Sequence, residues 1–576
     1  TLGNTRLAIL ALSPAGHQPM SFEDGRYWIA YNGEIYNFQE LRAQLERLGC
    51  GFRTETDTEV ILAAYSKWGI RCLQEFRGMF AFGLLDLSCR GKPVLVLARD
   101  RLGIKPLYHC RGAGSLWFAS EVGALVEAGA IPRTLDREAV QDYLSAGCVR
   151  QPRCIYENVR MLLPGHYMIA TPDGRGEITR YWDLHENTAA ARRELAGVSF
   201  ADATRETASL LDESARLCTV SDREVGVFLS GGLDSSAAAA LIARHSSKKV
   251  KTFHVCFSGQ ADEREYARMA ADHIGAEHHE LEISCGSVRD MFDSYIGSLD
   301  QPSVDGLNTW MVAAETSRFV PVGISGVGGD EVFAGYGHFR AQELSGRRGA
   351  AAIRAAQALA QRTSRLMFGG PLAFGRLTGF PSARDRLESS RRIAGDALLR
   401  WIVRPEWWST DSARRSHEET LVLWRAADRI QEITYFEMCG YLLNMLLRDS
   451  DVMTMCHSLE LRPILLDHKL VEFVYSLPAG FKHDGQAGKR ILKEAAGGLI
   501  PATIVQRAKI GFGLPYTEWM KTELSDHFLD LLDGDWAKAL LRPTAISLLR
   551  RPSRWRDRGR PHWSLLVLLA WLQGHA

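Results

Sequence analysis

Two short loops in this chain carry the residue types that phosphate chemistry needs. Ser230-Gly231-Gly232-Leu233-Asp234-Ser235-Ser236 follows the apolar run Val225 to Leu229 and opens an Ala-rich stretch. Two glycines let the backbone curl into a nest of N–H donors, and a helix starting there adds its dipole. The hydroxyls of Ser230, Ser235 and Ser236 can add further donors. A carboxylate at Asp234 would repel a bound phosphate unless a hard cation such as Mg²⁺ bridged the two. The competing reading, a plain helix N-cap built from Ser and Asp, does not account for the whole seven-residue string in its strand-loop-helix setting. A second loop, Ser325-Gly326-Val327-Gly328-Gly329-Asp330-Glu331, follows another apolar run and leads into Phe333-Ala334-Gly335-Tyr336. Two glycine-rich loops, each bearing an Asp, suit a crevice at the switch point of a parallel sheet, where Asp234 and Asp330 could share one Mg²⁺-pyrophosphate. Neither loop has the Gly-Lys-Ser/Thr ending of a Walker loop, so γ-phosphoryl transfer is not indicated.

The surrounding elements must hold these loops. From about residue 205 the rhythm is strand, loop, helix: strands over 224–229, 250–257, 278–283 and 320–325, helices over 234–245 and 263–274. That alternation predicts a parallel sheet covered on both faces. Beyond Gly337 the pattern reads as almost wholly helical to the C-terminus, with a basic stretch over 347–404 that reads as solvated surface. Residues 1–185 differ. Short strand-like runs at 6–12, 27–31, 79–87, 94–98 and 116–119 are separated by turn signals and interrupted by amphipathic helices at 38–48 and 58–68. This predicts an α+β domain with antiparallel sheets. The polar, Ala-rich segment 186–204 reads as a linker, leaving 205–576 as the second domain.

A chain of 576 residues is long for one core and suggests two large domains. Its 69 basic and 68 acidic residues give a formal net charge of +1, so no global field exists for gripping nucleic acid or an acidic membrane. Eleven cysteines without a C-x-x-C pair argue against a disulfide framework or zinc ribbon and for a reducing compartment. No signal-peptide pattern is visible, and the most apolar run, 565–572, is too short to span a bilayer. A cytoplasmic location is the expectation.

At the two loops the sequence resembles a known family. S-G-G-L-D-S-S is the signature of PP-loop ATP pyrophosphatases, and its pairing with S-G-x-G-G-D-E-x-F-x-G-Y resembles asparagine synthetase and its relatives. Asp300-Gln301-Pro302, the run Met453 to Arg462, Leu466-Asp467-His468 and the run Arg507 to Gly513 also match. The resemblance implies that ATP is split between its α- and β-phosphates, that a substrate carboxylate becomes an acyl-adenylate, and that ammonia displaces AMP. It also implies that Leu229, Val255, Ser325 and Gly326 line the nucleotide pocket and that Lys509 stabilises charge at the reacting carbonyl.

The first domain resembles the N-terminal-nucleophile glutaminases over residues 1 to about 180. The matching runs are Arg6 to Ile9, Asn32 to Asn37, Thr56 to Glu59, Gly78 to Phe82 and Arg99 to Leu107. By this resemblance Arg6 clamps the glutamine α-carboxylate, Glu34 and Asp57 receive its α-ammonium, and Asn32 with the Gly33 N–H forms an oxyanion hole. The glutaminases use an N-terminal Cys, and this sequence starts at Thr1, beyond the position of that residue. The expectation is that the full gene product uses glutamine while the chain as written uses ammonia.

The implied reaction is amidation of aspartate to asparagine, with the same chemistry on another carboxylate, such as a sugar acid or natural-product precursor, as the alternative. Val327 is the reason for the alternative. Asparagine synthetases often carry Glu there and β-lactam-forming relatives Tyr, either of which can move a proton. With valine in that place, the base for the attacking ammonia has to come from Glu331, Tyr336 or water. A tRNA thiolase would want cysteine pairs and a basic face, and a serine hydrolase a G-x-S-x-G string. His278-His279-Glu280 reads as alternation in a strand rather than a metal site. A non-catalytic nucleotide-binding protein would have little use for both Asp-bearing loops. The family resemblance also suggests a homodimer.

Overall fold

A computed structural model describes residues 1–89, 92–112, 114–172, 175–257, 263–283, 288–340, 391–408, 428–507, 514–551 and 559–576. In the first part of the chain the strands are β1 (Met20–Phe22), β2 (Tyr27–Ile35), β3 (Gly78–Asp86), β4 (Val94–Arg99), β5 (Tyr108–Gly112), β6 (Ser115–Ala119), β7 (Val159–Met161), β8 (His166–Ala170) and β9 (Gly176–Arg180). They form a six-stranded sheet, β1-β2-β3-β4-β8-β9, and a three-stranded sheet, β6-β5-β7, with every pairing antiparallel. The helices Phe38–Arg47 and Asp57–Trp68 pack against the larger sheet through Leu41, Leu45 and Val60 to Ala64. Thr56 starts the second of them by accepting the Glu59 N–H, and Glu59 reaches back to the Arg53 and Thr54 N–H groups. This local capping sets the direction of Asp57.

The second half carries β10 (Val225–Phe228), β11 (Lys251–Phe257), β12 (Glu277–Ile283), β13 (Val322–Ser325) and β14 (Glu460–Pro463) in the order β12-β11-β10-β13-β14, all parallel. Helices cover both faces. The helix Leu233–His245 shares a cluster with Val227 and Ile324, and its Ala237 to Ala240, almost wholly buried, let it lie close to the sheet. On the other face Phe253 packs with Ala313 of the helix Leu307–Thr316. The chain lays down strands outward from β10 on one side, then crosses to β13 on the other. The switch point therefore lies between β10 and β13, at the two glycine-rich loops.

One expectation is corrected. Residues 6–12 form no strand: no neighbouring strand pairs with them. Their backbone groups are satisfied instead by the Arg6 side chain, which donates to the Leu10 and Ala11 carbonyls, and by Asp222, which accepts the Ala11 N–H. Beyond Gly337 the described elements are helices, as expected, apart from the four-residue β14, which completes the parallel sheet. In β14 Glu460 and Arg462 are buried and paired at 2.8 Å as an internal ion pair.

The run 565–572 lies in the C-terminal helix Gly559–His575, whose Trp563 and Trp571 are buried and donate to the Val304 and Leu299 carbonyls. Among the described residues no helix is long and apolar enough to cross a membrane. The segment read as a linker winds into the short helices Leu184–Asn187 and Ala189–Glu194 before the long helix Phe200–Cys218.

Candidate active site

The first phosphate-type loop leaves β10 at buried Leu229, whose N–H donates to the Phe253 carbonyl on β11. Gly231 has a φ of +77°, and a Cβ there would stand 2.6 Å from the Ala267 nitrogen. Glycine is thus required both for the left-handed turn and for the close approach of the helix Arg264–Ile274. Ser230 and Ser235 share a hydrogen bond of 2.9 Å between their hydroxyls, which fixes the loop's shape. The Ser236 hydroxyl is buried and finds no hydrogen-bond partner among the described residues. Val255 is buried towards the C-terminal end of β11, beside the Leu229 strand end.

The second loop leaves β13 at Ser325, whose hydroxyl accepts the Val327 N–H at 3.1 Å. A Cβ on Gly326 would lie 2.9 Å from the Asp234 backbone, and one on Gly329 only 2.5 Å from the Asp234 Cγ. The two loops are therefore in contact, and the glycines make that contact possible. Val327 packs against the apolar cluster that includes Leu466.

A residue missed in the sequence stands between the loops. Lys489 directs Nζ at the Asp234 Oδ2 and lies 2.7 Å from the Asp330 Oδ1. Burial works against its charge, but the two aspartates outweigh it and hold its pKa above the ordinary lysine value. Lys489 sits at φ +58°, a costly conformation for a side-chain-bearing residue, and its N–H donates to the Phe333 carbonyl. The only local signal was a Gly-Lys pair ahead of the helix Arg490–Ala496. A Cβ on Gly335 would meet both the Asp330 Oδ1 and the Lys489 Cε at about 2 Å, so the ammonium, the two carboxylates and the turn are packed as one unit. Lys509, given the charge-stabilising role from sequence, lies outside the described residues. Its neighbour Arg507 pairs with Glu263 at 2.8 Å and stacks over Tyr266, against the first loop.

Glu331 and Tyr336 meet: the phenol donates to the Glu331 Oε1 at 2.5 Å. Burial lifts the Glu331 carboxyl to about 7, opposed by the Tyr336 hydrogen bond and supported by Asp330 and Glu437. A carboxyl with that pKa can hold or release a proton near neutrality.

Among the described residues no cluster of three or more His, Cys, Asp or Glu could cage a metal. Asp234 and Asp330 nevertheless concentrate two hard carboxylates around one ammonium, the donor chemistry that suits Mg²⁺ held jointly by protein and phosphate oxygens. His278 lies on β12 with Nδ1 2.9 Å from the Thr252 hydroxyl, and His279 stacks on Phe253.

The glutamine-type residues converge separately. Arg6, Asn32, Gly33, Glu34 and Asp57 line one cavity of about 640 Å³. Gly33 (φ +140°) allows β2 and β3 to meet where any Cβ would strike the Met79 carbonyl at 2.1 Å. Asp57 accepts from the Tyr31 hydroxyl at 2.7 Å and the Ile35 N–H at 3.0 Å. Arg6 turns its guanidinium onto the Leu10 and Ala11 carbonyls, and the Asn32 amide is 3.4 Å from the Ser120 hydroxyl. Glu34 pairs with Arg462 at 3.1 Å, and burial raises its pKa well above the carboxylate range. The wall opposite is formed by Asp451, Met455 and Glu460 of the second half. Lys105 and Asp451 join the halves through a buried ion pair of 2.8 Å.

Comparison with known proteins fits this two-site layout. Residues 206–573 match the asparagine synthase family and residues 1–182 the glutamine amidotransferase domain family. The chain is 29% identical over 578 residues to asparagine synthetase [glutamine-hydrolyzing] 1 of Bacillus subtilis, covering 99% of this chain and 89% of that protein. It is 31% identical over 595 residues to a putative asparagine synthetase [glutamine-hydrolyzing] of Mycobacterium tuberculosis, covering 99% and 88%. It is also 28% identical over 570 residues to amidase chry2 of Gibberella zeae, covering 90% and 81%.

Proposed function

The chain belongs to the asparagine synthase family, and from that premise we propose that it amidates the side-chain carboxylate of aspartate to give asparagine, through an acyl-adenylate. ATP-dependent amidation with glutamine as nitrogen donor is the chemistry of the family, and the enzyme is a ligase. The observation that carries the adenylation step of this reading is Lys489 between Asp234 and Asp330 at the switch point of the parallel sheet. That arrangement suits a reaction in which pyrophosphate leaves and charge gathers at a phosphate and then at a carbonyl.

In this reading the N–H groups of the Ser230 to Ser236 loop cradle the β- and γ-phosphates, with Ser325 and Gly326 closing the pocket near Leu229 and Val255. Asp234 and Asp330 would hold Mg²⁺, which when bound neutralises the phosphate oxygens. The aspartate β-carboxylate oxygen attacks the α-phosphorus, the bond to the β-phosphate oxygen breaks, and pyrophosphate stays in the loop. Lys489 offsets charge on the reacting carbonyl oxygen, the role that the resemblance assigned to Lys509. Ammonia then adds to the carbonyl carbon, AMP leaves with the bonding pair of its oxygen, and the surplus proton passes to the Glu331–Tyr336 pair. Glu331 supplies the proton acceptor that Val327 cannot. In the first domain, Arg6, Asn32, Gly33, Glu34 and Asp57 hold glutamine, and the ammonia released from it crosses to the second site.

Val327 also supports a second reading, the same chemistry on a different carboxylate. Pyrophosphate release with ATP, Mg²⁺ and ammonium, with and without aspartate, separates the two. Aspartate-dependent release with asparagine formed supports the first; release that depends on another carboxylate and ignores aspartate supports the second.

A further inference from the structure

Next to the Glu331–Tyr336 pair lies a cluster of charge that neither the nucleotide nor the glutamine chemistry uses. Arg391 lies between two tyrosine rings, its Cζ 4.3 Å from the Tyr336 centroid and 4.0 Å from that of Tyr441. Sandwiched this way, a guanidinium loses water from both faces and can hydrogen-bond only through its edges. One edge is used: Nε and Nη2 donate to the fully buried Glu437, with Nη2 at 2.6 Å. His338 Nε2 reaches the same carboxylate at 2.8 Å. Nη1 donates to none of the described residues, and about a quarter of the Arg391 side chain stays accessible to solvent.

The backbone around this arginine is built to hold it. Tyr441 belongs to a π-helical stretch, Met438–Leu447, an uncommon winding that often marks functional positions. Its hydroxyl donates to Asp305 at 2.5 Å, which fixes the ring. Tyr336 is fixed from the other side by Glu331 and follows Gly335, the residue against which Asp330 and Lys489 pack. A cation whose Nη1 meets no hydrogen-bond acceptor among the described residues is thus separated by a single tyrosine from the place where the substrate carboxylate is activated. A carboxylate, Asp305, lies on the far side of the second tyrosine.

Resting on the function proposed above, we infer that Arg391 is the specificity-determining residue for the substrate's second anionic group, the carboxylate that is not activated. For aspartate this is the α-carboxylate; Asp305, which accepts from the Tyr441 hydroxyl and lies 3.9 Å from Arg560, would share its charge with the α-ammonium. A guanidinium held flat by two rings offers a planar fork to a carboxylate at little entropic cost. A substrate without that group would lose the contact while keeping the chemistry at Lys489.

Two measurements test this. The first is pyrophosphate release from the full chain with ammonium, using L-aspartate or 3-aminopropionate, which lacks the α-carboxylate. The second is calorimetric binding of L-aspartate in the presence of a non-hydrolysable ATP analogue. Both are run on wild type, Arg391→Met and Arg391→Lys. Arg391→Met is expected to raise the KM for aspartate about 100-fold, with a much smaller change in kcat. Turnover of 3-aminopropionate should be unchanged, and the Lys variant should lie between the two. A role confined to packing would instead move both substrates and kcat together. An unchanged aspartate KM in Arg391→Met, or equal losses for both substrates, overturns the inference while leaving the function standing. If wild type binds aspartate and Arg391→Met does not, but no pyrophosphate appears, the function falls and the specificity role is overturned with it, leaving Arg391 as an anion-binding residue only. If aspartate does not bind wild type, the inference is overturned. Should Arg391→Met fail to fold, the Lys variant decides: an aspartate KM equal to wild type then counts against the inference.

Discussion

Arg77 of the first half faces Asp467 of the second as a two-pronged ion pair, Nε to Oδ2 at 2.6 Å and Nη2 to Oδ1 at 2.9 Å. Both side chains are almost fully buried, and Asp467 also caps the helix His468–Ser476 by accepting the Lys469 and Leu470 N–H groups. The third guanidinium nitrogen pairs with Glu213 at 2.6 Å. Removing one member of such a buried pair strands the charge of the other. Arg77→Met is therefore expected to cost about 3–5 kcal/mol of stability, with Asp467→Asn costing less because it keeps part of the cap. Denaturant unfolding of the two variants checks this ordering; equal, negligible losses would contradict it.

Lys489→Met removes the only cation found between Asp234 and Asp330 among the described residues. Adenylation, read as pyrophosphate exchange into ATP, should fall by about 10²–10³-fold. Lys489→Arg should recover little of it, since Gly335 and Asp330 leave no room for a guanidinium. Full exchange activity in Lys489→Met would remove this lysine from the reaction.

Gly231→Ala places a methyl group 2.6 Å from the Ala267 nitrogen and in an unfavourable φ region. The loop must open to relieve the clash, so nucleotide affinity should weaken at least tenfold while the far glutamine cavity is untouched. Titration with a fluorescent ATP analogue reads the first effect, and glutamine binding serves as the control.

The Glu331 carboxyl, raised to about 7 by burial, gives a prediction for both rate and stability. As proton acceptor it must be ionised, so the ammonia-dependent step should quicken as pH rises through 7, and Glu331→Gln should abolish that inflection. For stability, the folded state binds this proton more tightly than the unfolded state. Wild type therefore gains stability relative to Glu331→Gln as pH falls from 7 towards the ordinary carboxylate range, and the Gln variant is the more stable above pH 7. Parallel pH-dependent melting of both proteins checks the sign.

The sequence was most legible where structure depends on near neighbours. β10 and β13 are short, largely apolar runs that lead straight into glycine-rich loops, and the helices Leu233–His245 and Gly329–Val332 start from glycines, so the two central strands and their loops could be read locally. β14 could not, because Glu460 and Arg462 look like exposed charges until the fold buries them against each other and Glu34. Residues 6–12 read as a strand-like apolar run, yet a strand needs a partner edge, which no local pattern specifies. Lys489 was missed for a related reason. It reaches Asp234 across 255 positions of sequence, and its importance rests on packing against the distant Gly335 and Asp330 rather than on its immediate neighbours. The pairing of Glu331 with Tyr336, five residues apart in one turn, was within reach of the sequence, and both were named there.

The ammonium of Lys489 has a consequence for how nucleotide enters. Two carboxylates this close would repel each other and any incoming triphosphate, yet the protein supplies its own counterion from a distant part of the chain. In the proposed function, arrival of the phosphates would thus be an ion exchange within a prepared shell rather than the capture of an anion by a bare basic surface. On that reading the lysine, released from one aspartate, would become available to the new charge, so the group that balances the resting site would be handed to the reacting one.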